Sequence, residues 1–534
     1  MENSRHERWL VLALTLLAFG LRCWGIDYGF PEPWAKPDEI RWVKVALGIL
    51  EDPNPRWFQW PTLHAYLLAA VYWVWGLFRV ARGDFPTYHA YMNEDMFVYP
   101  ADLVLLGRVV SAATGALSVP LTWKLGERIG PRGSGLVGAA LLALSFGPAR
   151  DAHFALIEPL LLLGIIATLL LVVGALEKPT LARFVLAGIA AGLTTSAKYS
   201  GVSLVAPIAL AVAFARRSEG RSLLGTAFDA RGWAAAAATV AAFFAGSPYM
   251  LVSRREFWDS MAMREMSYKD TTFDPDIGFV HHVLFSLRWS HGLAMEVVGL
   301  AGLLLLGWRS PARAIIAVYG LATYLGLGPA RIIPMRYASS LAPCIVLGVA
   351  WALFELSRNW RRRALVVTLA AAALCVDPAY RLVRLGMLLS REDTRHAARL
   401  WLNAHYPEGV EVLVPDSKLL RWGRPFLEDR YRVIAYEPGL ASRKAAPVAM
   451  LSESDTGYNP WSPETQAELR ASGTLVALFD PFDRGAKPVY DPHDAFFVPV
   501  AGFEGVRQPG PRITIYELRP LTLADAKPMN HPKP

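Results

Sequence analysis

Charge is scarce in this 534-residue sequence. Asp, Glu, Lys and Arg together make up 19% of it, and residues 159–176 contain none of them. Cysteine is scarcer still: Cys23, Cys344 and Cys375 are the only three, each in or beside an apolar run, which leaves no disulfide framework and no cysteine-based metal site to read. No internal repeat is visible, so a solenoid or a duplicated transporter half has no support. The net charge of +8 suggests nucleic acid at first sight, but its distribution excludes that partner. The basic residues fall in short loops between apolar runs instead of forming one face for a phosphate backbone.

Apolar sequence dominates what is there. Mean hydropathy is +0.28 over the whole chain. Clear helix cores run over 10–21, 137–146, 160–176, 184–195, 202–214, 233–245, 293–308 and 338–354. A bilayer core of about 30 Å asks for roughly 20 apolar residues per helix, so the shorter runs must borrow flanking Trp, Tyr or Arg at the interface. Arg5 and Arg8 precede the first run as in a signal peptide. No small-x-small cleavage site follows, and the run is read as an uncleaved anchor.

Charge placement orients the chain. Lys124, Arg128 and Arg132, then Arg216, Arg217, Arg221 and Arg231, then Arg358, Arg361, Arg362 and Arg363 fall at alternate connections, as do Lys178 with Arg183 and Arg309 with Arg313. The positive-inside rule makes these loops cytoplasmic. The expected architecture is a polytopic α-helical membrane protein of about eleven spans, N-terminus in the cytoplasm, in the plasma (inner) membrane. One long external segment, 27–103, contains an apolar stretch at 61–78 that the charge pattern does not allow to cross; its Trp and Tyr residues suit a helix lying at the outer interface. A second external segment covers about 250–290. The last crossing, near 362–380, is interrupted by Asp377-Pro378.

Composition changes near residue 390. The membrane module is therefore placed at 1–389 and an extracytoplasmic soluble α/β domain at 390–534. Within the latter, 393–403 reads as an amphipathic helix and 410–414, 431–435, 474–479 and 512–518 as strands. No catalytic signature stands out there.

The chemistry-bearing residues collect where helices emerge outside the membrane: Asp38 and Glu39, Arg108, Arg150 and Asp151, His153 and Glu158, Lys198, and Arg336. Each alone has an ordinary reading as a loop or snorkelling charge. Ionisable groups near membrane depth are costly and face cavities, and these concentrate on one face. Carboxylates beside Arg and Lys there suit an anionic, lipid-linked substrate and a hydroxyl acceptor.

The motifs resemble those of the GT-C membrane glycosyltransferases, in particular bacterial relatives of protein O-mannosyltransferases and lipid A aminoarabinose transferases (glycosyltransferase family 39-like). Pro37-Asp38-Glu39 is similar to the acidic motif of their first external loop. Phe58-Gln59-Trp60-Pro61-Thr62-Leu63 resembles the start of their juxtamembrane helix, and Gly107-Arg108-Val109-Val110-Ser111 their second span. Arg150-Asp151-Ala152-His153 leading to Glu158, Ala197-Lys198-Tyr199 and Asp393-Thr394-Arg395 follow in order. Ala152 stands where Ser is usual and Glu158 where Asp is commoner.

This resemblance implies a GT-C fold with juxtamembrane helices and inverting transfer of a sugar from a polyprenyl-phosphate-linked donor to a hydroxyl acceptor of a protein, glycolipid or polysaccharide. It gives Asp38 the role of general base. Arg108, Lys198 and Arg336 are donor phosphate-binding candidates. Glu39 and Glu158 orient hydroxyls, or share a proton or metal with Asp38; Arg150 and His153 are further site candidates. Some members of the wider class use a divalent cation, but no ligand spacing here requires one. The main competing reading is a polytopic transporter or lipid flippase, which calls for ionisable residues near the midplane and broken helices. A second, a non-catalytic receptor or assembly subunit whose tail binds, leaves Asp38, Arg108 and Lys198 unexplained.

Overall fold

The computed structural model describes all residues except 1, 32–35, 98–100, 270–277, 331, 415–419, 438, 455, 457–462, 495 and 522–534. Asp270, Asp274 and Asp276, in the expected external segment 250–290, lie outside the described residues. The chain forms two compact units, one of Met1–Trp24 with Arg41–Val383 and one of Gly25–Ile40 with Arg384–Pro534. The second unit begins at Arg384, a few residues before the change in composition, and it also takes in sixteen residues that follow the first helix.

Helices build the first unit. α1 (Glu2–Cys23), α2 (Pro37–Glu51), α3 (Leu63–Ala81), α4 (Tyr88–Phe97) and α5 (Ala101–Ile129) are followed by α6 (Ser134–Leu144) and the short α7 (Phe146–Asp151). α2 starts in the second unit and continues into the first. Next come α8 (Glu158–Glu177), α9 (Leu181–Ala197), α10 (Val205–Ser218), α11 (Ala230–Gly246), α12 (Tyr249–Val252) and α13 (Arg254–Lys269). α14 (Gly278–His281), α15 (Arg288–His291), α16 (Leu293–Leu306), α17 (Pro311–Leu327), α18 (Ala342–Leu356) and α19 (Arg363–Leu389), whose residues from Arg384 on belong to the second unit, complete the set.

Among the described residues, six helices are long and apolar enough to cross a bilayer, or seven if the pair bent by 115° around Gly292 is one span. α6, α9 and α17 are apolar but shorter. Length and composition therefore support fewer crossings than the eleven expected from run counting. They also admit α3 as a crossing helix: its 19 residues have a mean hydropathy of 1.3. Its placement at the interface rests on loop charge and on its Trp and Tyr residues. Asp377-Pro378 does not interrupt the last helix. α19 runs through both residues, with Asp377 paired to Arg381 one turn on, 2.6 Å apart.

Close approach of backbones holds this bundle. Gly188 and Gly192 stand one turn apart on α9. A Cβ built on either would overlap a carbonyl oxygen of α11, that of Ala235 or Thr239. In a membrane, where lipid is as apolar as leucine, such small-residue seams let helices reach dispersion contact. α16 and α18 meet in the same way through Gly299, Gly302 and Gly348. Because the obstacle at Gly192 is backbone, Gly192→Ala is expected to destabilise the bundle by about 1–3 kcal/mol through overpacking. A lower thermal midpoint of the purified protein in detergent checks this, and an unchanged midpoint contradicts it.

The second unit carries a five-stranded sheet of order β2-β1-β3-β5-β4. Its strands are β1 (Glu411–Val414), β2 (Arg432–Ala435), β3 (Val448–Glu453), β4 (Thr474–Phe479) and β5 (Arg512–Glu517). β1 pairs parallel with β2 and β3, while β5 runs antiparallel to both β3 and β4. The predicted helix is α20 (Thr394–His405), capped by the Asp393 carboxylate, which accepts from the Arg395 backbone N–H. α21 (Pro463–Ser472) and the central strand β3 had no counterpart in the sequence reading. β3 is buried on both faces: Val448 and Met450 join the α20 side, Ala449 and Leu451 the other. A strand buried on both faces shows no alternation to read.

Candidate active site

Three breaks in the helices of the first unit deliver its polar cluster. α8 opens at Glu158 with proline next, a residue that costs nothing in a first turn. α9 ends at Ala197, and Lys198 takes an extended backbone (φ −152°, ψ 135°) before a 3-10 turn over Tyr199–Leu204. Arg336 stands on a second 3-10 turn, Met335–Leu341, that feeds α18.

These breaks bring three of the predicted residues together. Lys198 Nζ lies 2.9 Å from Glu158 Oε1 and Arg336 Nε 3.6 Å from the same oxygen. The Lys198 and Glu158 side chains are only 6% and 5% exposed, so water screens their attraction little. Beside them Asp151 senses the charge of Glu158 and Arg336, accepts from Ser339 Oγ at 2.6 Å and has Arg150 Nη1 at 3.7 Å. Two carboxylates thus face three cations in one buried set. The imbalance leaves a site that favours an added anion.

Aromatic rings extend this cationic edge. Lys198 Nζ is 4.0 Å from the centroid of the Tyr337 ring and 5.3 Å from that of Trp60. The Arg264 guanidinium, from α13, is 4.5 Å from the same Trp60 ring. Trp60 is fixed by its neighbours: Tyr199 OH donates to the Phe58 carbonyl (3.1 Å) and the Thr62 N–H to Ser247 Oγ (3.0 Å). Trp60, Lys198, Tyr199, Arg264 and Tyr337 line a cavity of about 510 Å³ whose remaining wall includes Val202, Ala322, Leu327 and Ile332. An apolar chamber edged by two cations results. Arg264, Trp60 and Tyr337 were not among the predicted site residues. Arg264 sits on a helix with no marked apolar face, and only its packing distinguishes it from other external arginines.

Two other predicted residues lie elsewhere in this unit. Arg108, on α5, is buried with its guanidinium 5.5 Å from the Phe154 ring centroid. His153 is buried, and its Nδ1 donates to the Ala149 carbonyl at 2.8 Å. Neither lines the cavity. Among the described residues no group of three or more His, Cys, Asp or Glu is placed to hold a metal ion. The nearest carboxylates, Glu158 and Asp151, are already engaged by cations, and no step below passes through a metal.

Asp38 and Glu39 belong to the second unit, in the first turn of α2 behind Pro37. Negative charge is favoured there by the helix dipole. Asp38 is half-buried and Glu39 buried. Lys36, which precedes the helix, accepts the Glu39 N–H at its carbonyl (3.2 Å), and its ammonium is bound by Asp494. The Asp393-Thr394-Arg395 motif is a strut in the same unit. Asp393 accepts from Arg395 Nε and Nη2 and from the Tyr28 hydroxyl, all between 2.7 and 2.9 Å.

Residues 59–217 match the family model described as dolichyl-phosphate-mannose-protein mannosyltransferase. No curated protein matches the chain by sequence. Among solved structures, the chain is similar to the archaeal oligosaccharyltransferase AglB from Archaeoglobus fulgidus in complex with an inhibitory peptide and a dolichol-phosphate. The identity is 13%, the TM-score 0.50, and the match covers 90% of this chain and 74% of that one. ArnT from Cupriavidus metallidurans bound to undecaprenyl phosphate matches over 97% of this chain and 99% of that one, at 13% identity and a TM-score of 0.48. The family-model match over residues 59–217 agrees with the resemblance, drawn from the sequence, to relatives of protein O-mannosyltransferases, and the AglB structure shares the fold.

Proposed function

We propose, for a chain of GT-C fold with a protein-mannosyltransferase-like segment over residues 59–217, that it transfers a sugar from a polyprenyl-phosphate carrier to a hydroxyl acceptor with inversion at the anomeric carbon. The observation that carries this reading is the apolar cavity with Lys198 and Arg264 in its lining. A polyprenyl-phosphate sugar needs both properties at once: an apolar wall for the isoprenoid, and cations for the phosphate. The AglB structure of like fold holds a dolichol-phosphate, a lipid phosphate of the same chemical class as the proposed carrier.

The resemblance of Pro37-Asp38-Glu39 to the acidic motif of the first external loop of GT-C glycosyltransferases supports Asp38 as the base: its carboxylate takes the proton of the acceptor hydroxyl as that oxygen forms the new bond to the anomeric carbon. The bond from that carbon to the carrier phosphate breaks, and its electron pair stays on the phosphate oxygen. Lys198, Arg336 and Arg264 stabilise the charge developing there, because donors already in place lower a transition state more than donors that must reorient. Glu158 holds Lys198 and Arg336 side by side against their mutual repulsion, which keeps both available to one anion. The reaction is assigned to the extracytoplasmic face, where the positive-inside pattern puts these loops.

The transporter reading has one feature in its favour, the sharp break between α15 and α16. One experiment separates the two. Membranes containing the full chain are incubated with undecaprenyl phosphate carrying mannose, glucose, galactose, N-acetylglucosamine or arabinose, and free undecaprenyl phosphate is followed. Consumption of one donor, with inverted anomeric configuration in the product, is expected. Movement of a donor across the bilayer with none consumed would overturn the transferase reading.

A further inference from the structure

Two side chains from Gly25–Ile40 are buried in their own unit, and both meet Phe496. Tyr28 donates to Asp393 Oδ2 at 2.9 Å, accepts from Arg395 Nη2 at 3.2 Å, and meets the Phe496 ring edge-on at 5.8 Å. Lys36 Nζ lies 2.6 and 2.7 Å from the two oxygens of Asp494 and 4.8 Å from the same ring. Lys36 and Asp494 are each 2% exposed.

A buried ion pair adds little net stability, because desolvation offsets most of its attraction, but breaking one side of it is costly. Such a pair is therefore poor as glue and good at holding one geometry. What this one holds is specific. Lys36 is the residue from which α2 starts, Pro37 fixes the next φ near −65°, and Asp38 follows within the first turn. The partner side is equally constrained. The Asp491 carboxylate accepts from the His493 N–H (3.1 Å), the Phe496 N–H returns to the Asp494 carbonyl (2.7 Å), and a bridge of Val489 to Ala501 closes the loop.

We infer that the C-terminal domain is a positioning device for the acidic turn, and that Asp494, acting through Lys36, is a positioning residue for Asp38. This rests on the reading of Asp38 as the base. It gives the tail a part in turnover without any residue of the tail touching the substrate.

The test uses the full chain in lipid nanodiscs with the donor identified by the panel above. Asp494→Asn should lower kcat by about 10- to 100-fold, the scale of a base displaced by roughly 1 Å. KM for the donor and binding of undecaprenyl phosphate should stay unchanged, Asp494→Glu should recover turnover, and amides in the first turn of α2 should exchange faster with deuterium. If Asp494→Asn does not fold, the double variant Lys36→Met/Asp494→Leu fills the site with apolar groups and should show the same loss of kcat and the same faster exchange. Wild-type kcat and exchange in the folded variant would overturn the inference. Full turnover in Asp38→Asn would instead remove the base assignment, a result the exchange measurement does not share.

Discussion

Asp38→Asn is expected to lower turnover by about 10²- to 10⁴-fold, the usual worth of a positioned general base, while leaving donor binding intact. The change is nearly isosteric; it removes the carboxylate charge and with it the ability to take a proton. Asp38 sits half-buried in the first turn of α2, where its charge is worth about 0.3–1 kcal/mol against the helix dipole. Activity lost in a variant that keeps its fold can be assigned to chemistry. Turnover of the donor, titration with undecaprenyl phosphate and far-UV circular dichroism on one preparation decide the matter. Unchanged turnover in a folded variant removes Asp38 from the mechanism.

Lys198→Met acts on binding. It deletes a charge-assisted contact to an anion, worth about 1.5–3 kcal/mol, or roughly 10- to 150-fold in affinity for undecaprenyl phosphate. It also leaves Glu158 buried with Arg336 as its remaining close cation, 3.6 Å away. Breaking a buried pair on one side costs about 3–5 kcal/mol, so the thermal midpoint should fall as well. The double variant Lys198→Met/Glu158→Gln neutralises both partners and should recover most of the midpoint without recovering affinity. Trp60, in van der Waals range of the cavity, supplies a fluorescence signal for the titration. Wild-type affinity in either variant would take Lys198 out of the phosphate site.

The two variants separate the proposed base from the proposed phosphate site. A base defect appears in kcat with binding preserved, and a phosphate-site defect appears first in donor affinity. The positioning variants of Asp494 should follow the Asp38 pattern, although Asp494 lies 458 residues from Lys36 in sequence.

Much of this molecule was legible as a linear pattern. Runs without charge marked the helices, because lipid forbids unpaired polar backbone and charged side chains along a span. Glu158, Lys198 and Arg336 stood out because an ionisable residue at the end of such a run needs a reason to be there. In the tail, the amphipathic stretch 393–403 marked α20, and four of the five strands were found from their apolar runs. The number of crossings was less legible. Run counting treats every apolar segment as a potential span, whereas α6, α9 and α17 are short and α14 to α16 form a bent element.

Partnership at long range was decided only by the tertiary structure. Sequence periodicity encodes which face of an element is buried, but not what it is buried against. Glu158 and Lys198 are forty residues apart and could each have been a loop charge; folding put them 2.9 Å from one another. Arg264 looked like any external arginine until packing set it beside Trp60. Asp393-Thr394-Arg395 looked like part of a chemical motif, and burial with Tyr28 made it a strut. The apolar runs were determined by the local cost of a polar group in lipid, which the sequence states residue by residue. The pairings depend on which breaks in the helices converge, and that is a property of the folded chain.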